Sequence, residues 1–115
     1  MTARTRTLTI TDDLIRAYSR RGNYHSDAAR AQALGLPGLV AQGVQVAGPA
    51  FGLLLDEWGE DFLAHGELDC RFVGPVYAGE AIEARVDLHD ETATIAVDNT
   101  TAGRAAVIGT ARRRV

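Results

Sequence analysis

One segment constrains the fold more than any other. From about Gly43 to Trp58 the chain offers a helix-length apolar stretch in which Val44, Ala47, Phe51, Leu54 and Leu55 share a broad face. Beyond Trp58 the period changes from helical to alternating. Leu68, Cys70 and Phe72 point one way. Ile82, Ala84, Val86 and Leu88 alternate with charged residues. His89, Asp90 and Glu91 make a turn, Ala93, Ile95 and Val97 run back, Asn99 to Gly103 turn again, and Ala105 to Ala111 close the series. One long helix ahead of consecutive antiparallel strands implies an α+β domain, with a five- or six-stranded sheet wrapped on the helix.

The segment before this helix is shorter-ranged. Arg6 to Ile10 alternates as a short strand. Thr11 suits an N-cap, with Asp12 and Asp13 at the positive end of a helix whose Leu14, Ile15 and Tyr18 share a face and which ends near Arg21 and Gly22. Gly22 to His25 reads as a loop. Ser26 or Asp27 then caps a helix over Ala28 to Leu34, Gly35 stops it, and Leu36-Pro37-Gly38 turns. Gly48-Pro49 inside the long helix predicts a kink or a late start.

At 115 residues the chain is expected to be a single domain over 1–115. A chain this short buries only about two-thirds of its unfolded surface, so a subunit interface is expected to add stability. The net charge of -3 argues against a nucleic-acid footprint. Arg112 to Arg114 reads as a solvated strand end rather than a phosphate contact. The chain has no lysine, which excludes Schiff-base chemistry by its own residues. A single cysteine, Cys70, excludes an intrachain disulfide and fits a reducing cytoplasm. The polar start at Met1 to Thr11 is not expected to be a signal peptide, and the apolar run from Leu34 to Leu55, interrupted by proline, glutamine and glycine, is not expected to span a membrane. His65 is expected at the surface, His89 with Asp90 and Glu91 makes a poor metal cluster, and Cys70 is expected as a small buried residue.

Two blocks carry a family resemblance. The stretch NYHSDAARAQALGLPGLVAQGV, from Asn23 to Val44, resembles the signature of MaoC-like enoyl-thioester hydratases and dehydratases, and RFVGPVYAGEAIEARV is similar to the strand and turn that follow that family's central helix. The resemblance covers nearly the whole chain. It implies a hotdog fold, an antiparallel sheet around one long helix, paired as a homodimer or as a heterodimer with another hotdog chain. It further implies a thioester carried by coenzyme A or acyl carrier protein, as in fatty acid metabolism, with no metal and no other cofactor.

The resemblance also implies site residues. His25 and Gly43 match the family pattern, and Asp27 matches an acid that usually caps the next helix. Asn23 stands where the family has an asparagine, with Tyr24 in place of a proline-aliphatic pair. Gln42 replaces a histidine in the step before Gly43. The family's acid, a few residues upstream of the histidine, is here Arg20 or Arg21, and neither is a general base.

Hydrating a conjugated thioester needs a base for water and donors for the enolate oxygen. His25 has the right intrinsic pKa for the base, unless it only ties its loop down. Asp27 orients His25 or caps a helix. Asn23 and Tyr24 bond the substrate or simply turn and pack. Gly43 opens an N–H to a ligand oxygen or allows a tight start to the helix. Gln42 can hold a carbonyl but cannot shuttle protons. Val44, Val46, Phe51 and Phe72 are expected mostly in the core, with some of them lining an acyl tunnel, and Arg71, Arg85 or Arg112 near the channel mouth. The expected activity is therefore that of a lyase, an enoyl-thioester hydratase or 3-hydroxyacyl-thioester dehydratase with an altered site. The alternatives are a non-catalytic hotdog subunit of a heteromeric hydratase, or a polyketide-pathway dehydratase or cyclase. A thioesterase ranks last, because the only acids on the long helix are Asp56 and Glu57, at its far end.

Overall fold

A computed structural model describes residues 2–18, 28–36 and 38–113. In chain order it contains β1 (Thr2–Thr9), α1 (Asp12–Tyr18), α2 (Ala28–Ala33), α3 (Gly43–Trp58), α4 (Glu60–His65), β2 (Gly66–Phe72), β3 (Ala81–His89), β4 (Thr92–Asn99) and β5 (Arg104–Arg113). The strands form one antiparallel sheet in the order β1-β3-β4-β5-β2. This is the α+β hotdog arrangement, with the sheet packed on α3.

Alternation in the sequence maps directly onto the sheet's inner face. Ile82, Ala84 and Val86 on β3, Ala93, Ile95 and Val97 on β4, and Val107 and Ala111 on β5 are buried against the helix. The β3–β4 turn places Asp90 at φ 58, and the β4–β5 turn places Gly103 at φ 71, a conformation that favours glycine. Thr11 caps α1 as expected, its Oγ1 accepting from Leu14 N–H at 3.1 Å. Gly35, at φ 79, ends α2 and donates its N–H to Gln32 O. The expected end of α1 near Arg21 and the loop and cap over 22–27 lie outside the described residues.

Three readings are corrected. First, α3 starts at Gly43 and runs unbroken through Pro49, so there is no late start. Second, its buried face is Val46, Ala47, Pro49, Ala50, Leu53, Leu54 and Trp58. Small Ala47 and Ala50 let the backbone approach the sheet, while Val44, 63% exposed, and Phe51, 36% exposed, sit on a flank the sheet does not cover. Third, the connection after Trp58 is itself a helix, α4, which packs on β2 and β5 and buries Phe62 against Phe51 and Trp58.

Strand β1 is also longer than expected. Its polar residues carry no apolar signal because Arg4 and Arg6 reach the far end of α3. Arg4 Nε donates to Glu57 Oε1 at 2.6 Å and Arg6 Nη2 to Asp56 Oδ2 at 2.7 Å. No helix among the described residues is long and apolar enough to cross a membrane.

Candidate active site

The approach to α3 is held by a short antiparallel pairing. Ala41 N–H donates to Val76 O at 2.9 Å and Ala78 N–H to Leu39 O at 3.0 Å, with Val40 opposite Tyr77. The Val76–Ala78 side is pinned in turn. Asn99, fully buried, donates to Glu80 Oε1 at 3.0 Å and accepts from Ala102 N–H at 2.9 Å, and Glu80 Oε1 also accepts from Tyr77 N–H at 2.7 Å. The start of α3 is thus fixed to the end of the sheet through two loops.

At that start Gln42 is the N-cap, with extended backbone (φ -68, ψ 144) and no capping bond from its side chain. The first intrahelical bond runs from Val46 N–H to Gln42 O, 3.1 Å. The N–H groups of Gly43 and Val44 therefore have no acceptor in the helix, and no acidic residue in the first turn offsets the positive end of the dipole. Gln45 Nε2 ties this turn to Leu14 O at 2.7 Å.

A cavity of about 630 Å³ opens on this turn. Its lining includes Gln42, Gly43, Val44, Phe72, Val76 and Val107, and no charged side chain among the described residues contributes to it. An uncharged wall that ends on exposed N–H groups suits an acyl chain with a carbonyl at one end. The ring of Phe72 lies flat against the helix start: a Cβ at Gly43 would stand 2.7 Å from Phe72 Cδ1. Phe72 is 55% exposed and Val44 is open too, so both line the cavity instead of belonging to the core, whereas Val46 is buried.

Of the residues named from the sequence, Gln42 and Gly43 come together on this cavity. Asn23, Tyr24, His25 and Asp27 lie outside the described residues. Arg71, Arg85 and Arg112 do not line it; the strand register places all three on the opposite face of the sheet, and Arg85 is bound to Asp87 at 3.0 Å. His65 is exposed at the end of α4. Asp56 and Glu57 are held by Arg6 and Arg4, away from the cavity. Cys70 is half-buried, not buried, and burial, then the neighbouring Asp69, push its thiol pKa up, which leaves it a protonated, poor nucleophile. Among the described residues no group of three or more His, Cys, Asp or Glu side chains is placed to hold a metal. Phe72 was expected as core or as tunnel lining; its contact with Gly43 was not expected, because an aromatic at the end of an alternating strand carries no sign of it.

The fold and this helix-end cavity define a hotdog domain of the hydratase and dehydratase type. The MaoC like domain matches residues 1–111, and the chain belongs to that family. Among solved structures it is similar to the R-hydratase PhaJ1 from Pseudomonas aeruginosa, with a TM-score of 0.77 and 21% identity over 96% of this chain and 77% of that one. It is similar to the (R)-hydratase from A. caviae involved in PHA biosynthesis, with a TM-score of 0.75 and 18% identity over 98% and 95% of the two chains. The ChsH1-ChsH2 complex from Mycobacterium tuberculosis gives a TM-score of 0.74 and 16% identity over 98% and 96%. At these identities the likeness is one of fold. No curated protein matches the sequence.

Proposed function

We propose that this domain adds water to an enoyl thioester, or removes it from a 3-hydroxyacyl thioester, on coenzyme A or acyl carrier protein. The observation that carries the reading is the uncharged cavity ending on the open N–H groups at Gly43. In hydration, His25 takes a proton from water as the water oxygen bonds to the β-carbon. The displaced electron pair moves to the thioester oxygen, which Gly43 N–H stabilises, and His25 returns the proton to the α-carbon. Dehydration is the reverse. Gln42 steadies the carbonyl, and Asn23, Tyr24 and Asp27 support water and histidine. Arg20 and Arg21 stand where the resemblance expects an acid, so His25 moves both protons in this reading and turnover is slow. The lone cysteine and this chemistry fit a reducing cytoplasm.

The experiment is turnover of crotonyl-CoA and longer enoyl-CoA substrates by the intact chain and by His25→Ala. Loss of about 10²- to 10⁴-fold in kcat is expected on removing the histidine. Equal rates would take His25 out of the mechanism.

A second reading is favoured by the missing acid and by the likeness in fold to a two-component complex, ChsH1-ChsH2. In it the chain is a non-catalytic hotdog subunit beside a partner with an intact acid–histidine pair. Activity that appears only on adding a second hotdog chain supports it; activity of the chain alone removes it. A polyketide-pathway dehydratase differs from the first reading in substrate alone, and a cyclase also in closing a ring; the enoyl panel extended to polyketide-type thioesters, with the products analysed, separates them.

A further inference from the structure

The described wall of the cavity carries no charge, yet one guanidinium stands at its rim. Arg104 begins β5 directly after Gly103 and pairs with Asn99 across the sheet. Residues directly opposite on antiparallel strands project to the same face. Asn99 is fully buried on the side of α3, so Arg104 projects to that side too, in contrast to Arg71, Arg85 and Arg112. Its side chain crosses to the loop after β2. Arg104 Nη2 donates to Pro75 O at 3.4 Å, and Asn99 Nδ2 reaches the same oxygen at 3.4 Å. Pro75, with Gly74 and Val76, lines the cavity that opens on Gly43.

The other arginines with described side chains are engaged or placed elsewhere. Arg4 and Arg6 hold Glu57 and Asp56, Arg16 holds Asp12, and Arg85 holds Asp87. Arg71 and Arg112 lie on the outer face of the sheet, and Arg113 lies over the Trp58 ring at the far end of α3. Among them Arg104 alone bonds a residue of the cavity wall. It is exposed, and no carboxylate among the described residues pairs with it. Glu80, bonded to the neighbouring Asn99, uses its Oε1 on Asn99 and on Tyr77 N–H. A guanidinium carries five donors in a planar fork, and those of Arg104 not turned to Pro75 suit the oxygens of a phosphate.

We propose that Arg104 binds a phosphate of the thioester's carrier, the one at the end of the pantetheine arm. The inference rests on the thioester reading of the cavity. A carbonyl at Gly43 N–H and a phosphate at Arg104 are two parts of one substrate, joined by an uncharged arm that an uncharged wall can hold. Coenzyme A and acyl carrier protein share that phosphate, so the contact serves either carrier. An exposed arginine at the rim also draws an anionic carrier toward the cavity, and salt weakens that attraction.

Calorimetric binding of saturated thioesters tests this without turnover. The probes are butyryl-CoA, butyryl-acyl carrier protein and butyryl-N-acetylcysteamine, which has no phosphate. The carrier whose thioester the intact chain binds more tightly is the source of the phosphate. With that probe Arg104→Ala is expected to weaken binding about tenfold or more, and with butyryl-N-acetylcysteamine far less. A merely structural role, exerted through Pro75, would weaken all three alike. Raised salt should weaken carrier binding to the intact chain more than to Arg104→Ala. Arg104→Lys, which keeps the charge, should recover part of the loss. Arg85→Ala removes the same charge from the outer face and should change none of the constants. Arg104 is exposed, so circular dichroism should be the same for every variant. An equal fractional loss with the N-acetylcysteamine thioester, or an equal loss from Arg85→Ala, overturns the assignment of Arg104 and leaves the thioester reading standing. Failure of the intact chain to bind any of the three probes removes both.

Discussion

Gly43 shows how one residue position serves both packing and chemistry. The absence of a Cβ lets the Phe72 ring lie on the helix start, and the same glycine lines the cavity. Gly43→Ala therefore forces the ring outward, and a cost of about 1–2 kcal/mol in urea unfolding is expected. Repeating the substitution in a Phe72→Ala background should remove most of that cost, because the clash has a single partner; an undiminished cost would place the strain elsewhere. The glycine was legible in the sequence as a helix start, and Gln42 beside it as its neighbour in the site. Phe72 was legible only as core or tunnel lining, because its contact with Gly43 spans distant parts of the chain and nothing in a strand's alternation says which aromatic at its end will fold back over a helix. The remaining site residues, Asn23, Tyr24, His25 and Asp27, were named from a resemblance, and periodicity alone would not have singled them out.

The elements are joined at the site end by Asn99, the one fully buried polar side chain among the described residues. It ties the β4–β5 turn to Glu80, and Glu80 to the loop that pairs with the approach to α3. Asn99→Asp keeps the shape but sets a second carboxylate beside Glu80 in a buried place. Destabilisation of about 2–4 kcal/mol at neutral pH is expected. The introduced carboxyl, crowded and desolvated, has a folded pKa above its unfolded one, so the loss should shrink as pH falls and the acid becomes neutral, and grow again as pH rises. Equal destabilisation at acidic and neutral pH would argue against the carboxylate contact. The bounds of α3 and of the β3–β4–β5 meander were readable, since their periods are set by burial on one face. β1 was only half readable because the residues facing α3 are arginines, and α4 was missed because six residues after Gly59, half of them polar, are too few to show a helical period. Which flank of α3 meets the sheet was not readable either: the helix is apolar over more of its circumference than the sheet can cover.

That excess apolar flank is a property of the whole molecule, and it lies on the side of the β2 edge. Val73 N–H donates to Ala106 O and continues the register in which Phe72 faces Val107, so the amides of Asp69 and Arg71 are bonded to β5 while those of Leu68, Cys70 and Phe72 turn to the open edge. Hydrogen exchange in a dilute sample should then divide β2 by parity, slow at Asp69 and Arg71 and fast at Leu68, Cys70 and Phe72. Amides at Val86, Ile95 and Val97, on two of the three strands paired on both sides, should be slowest of all. Equal protection of the five amides from Leu68 to Phe72 in a dilute sample would mean that the outward-turned groups have acceptors of their own, and the backbone phase read from Val73 and Ala106 would fall.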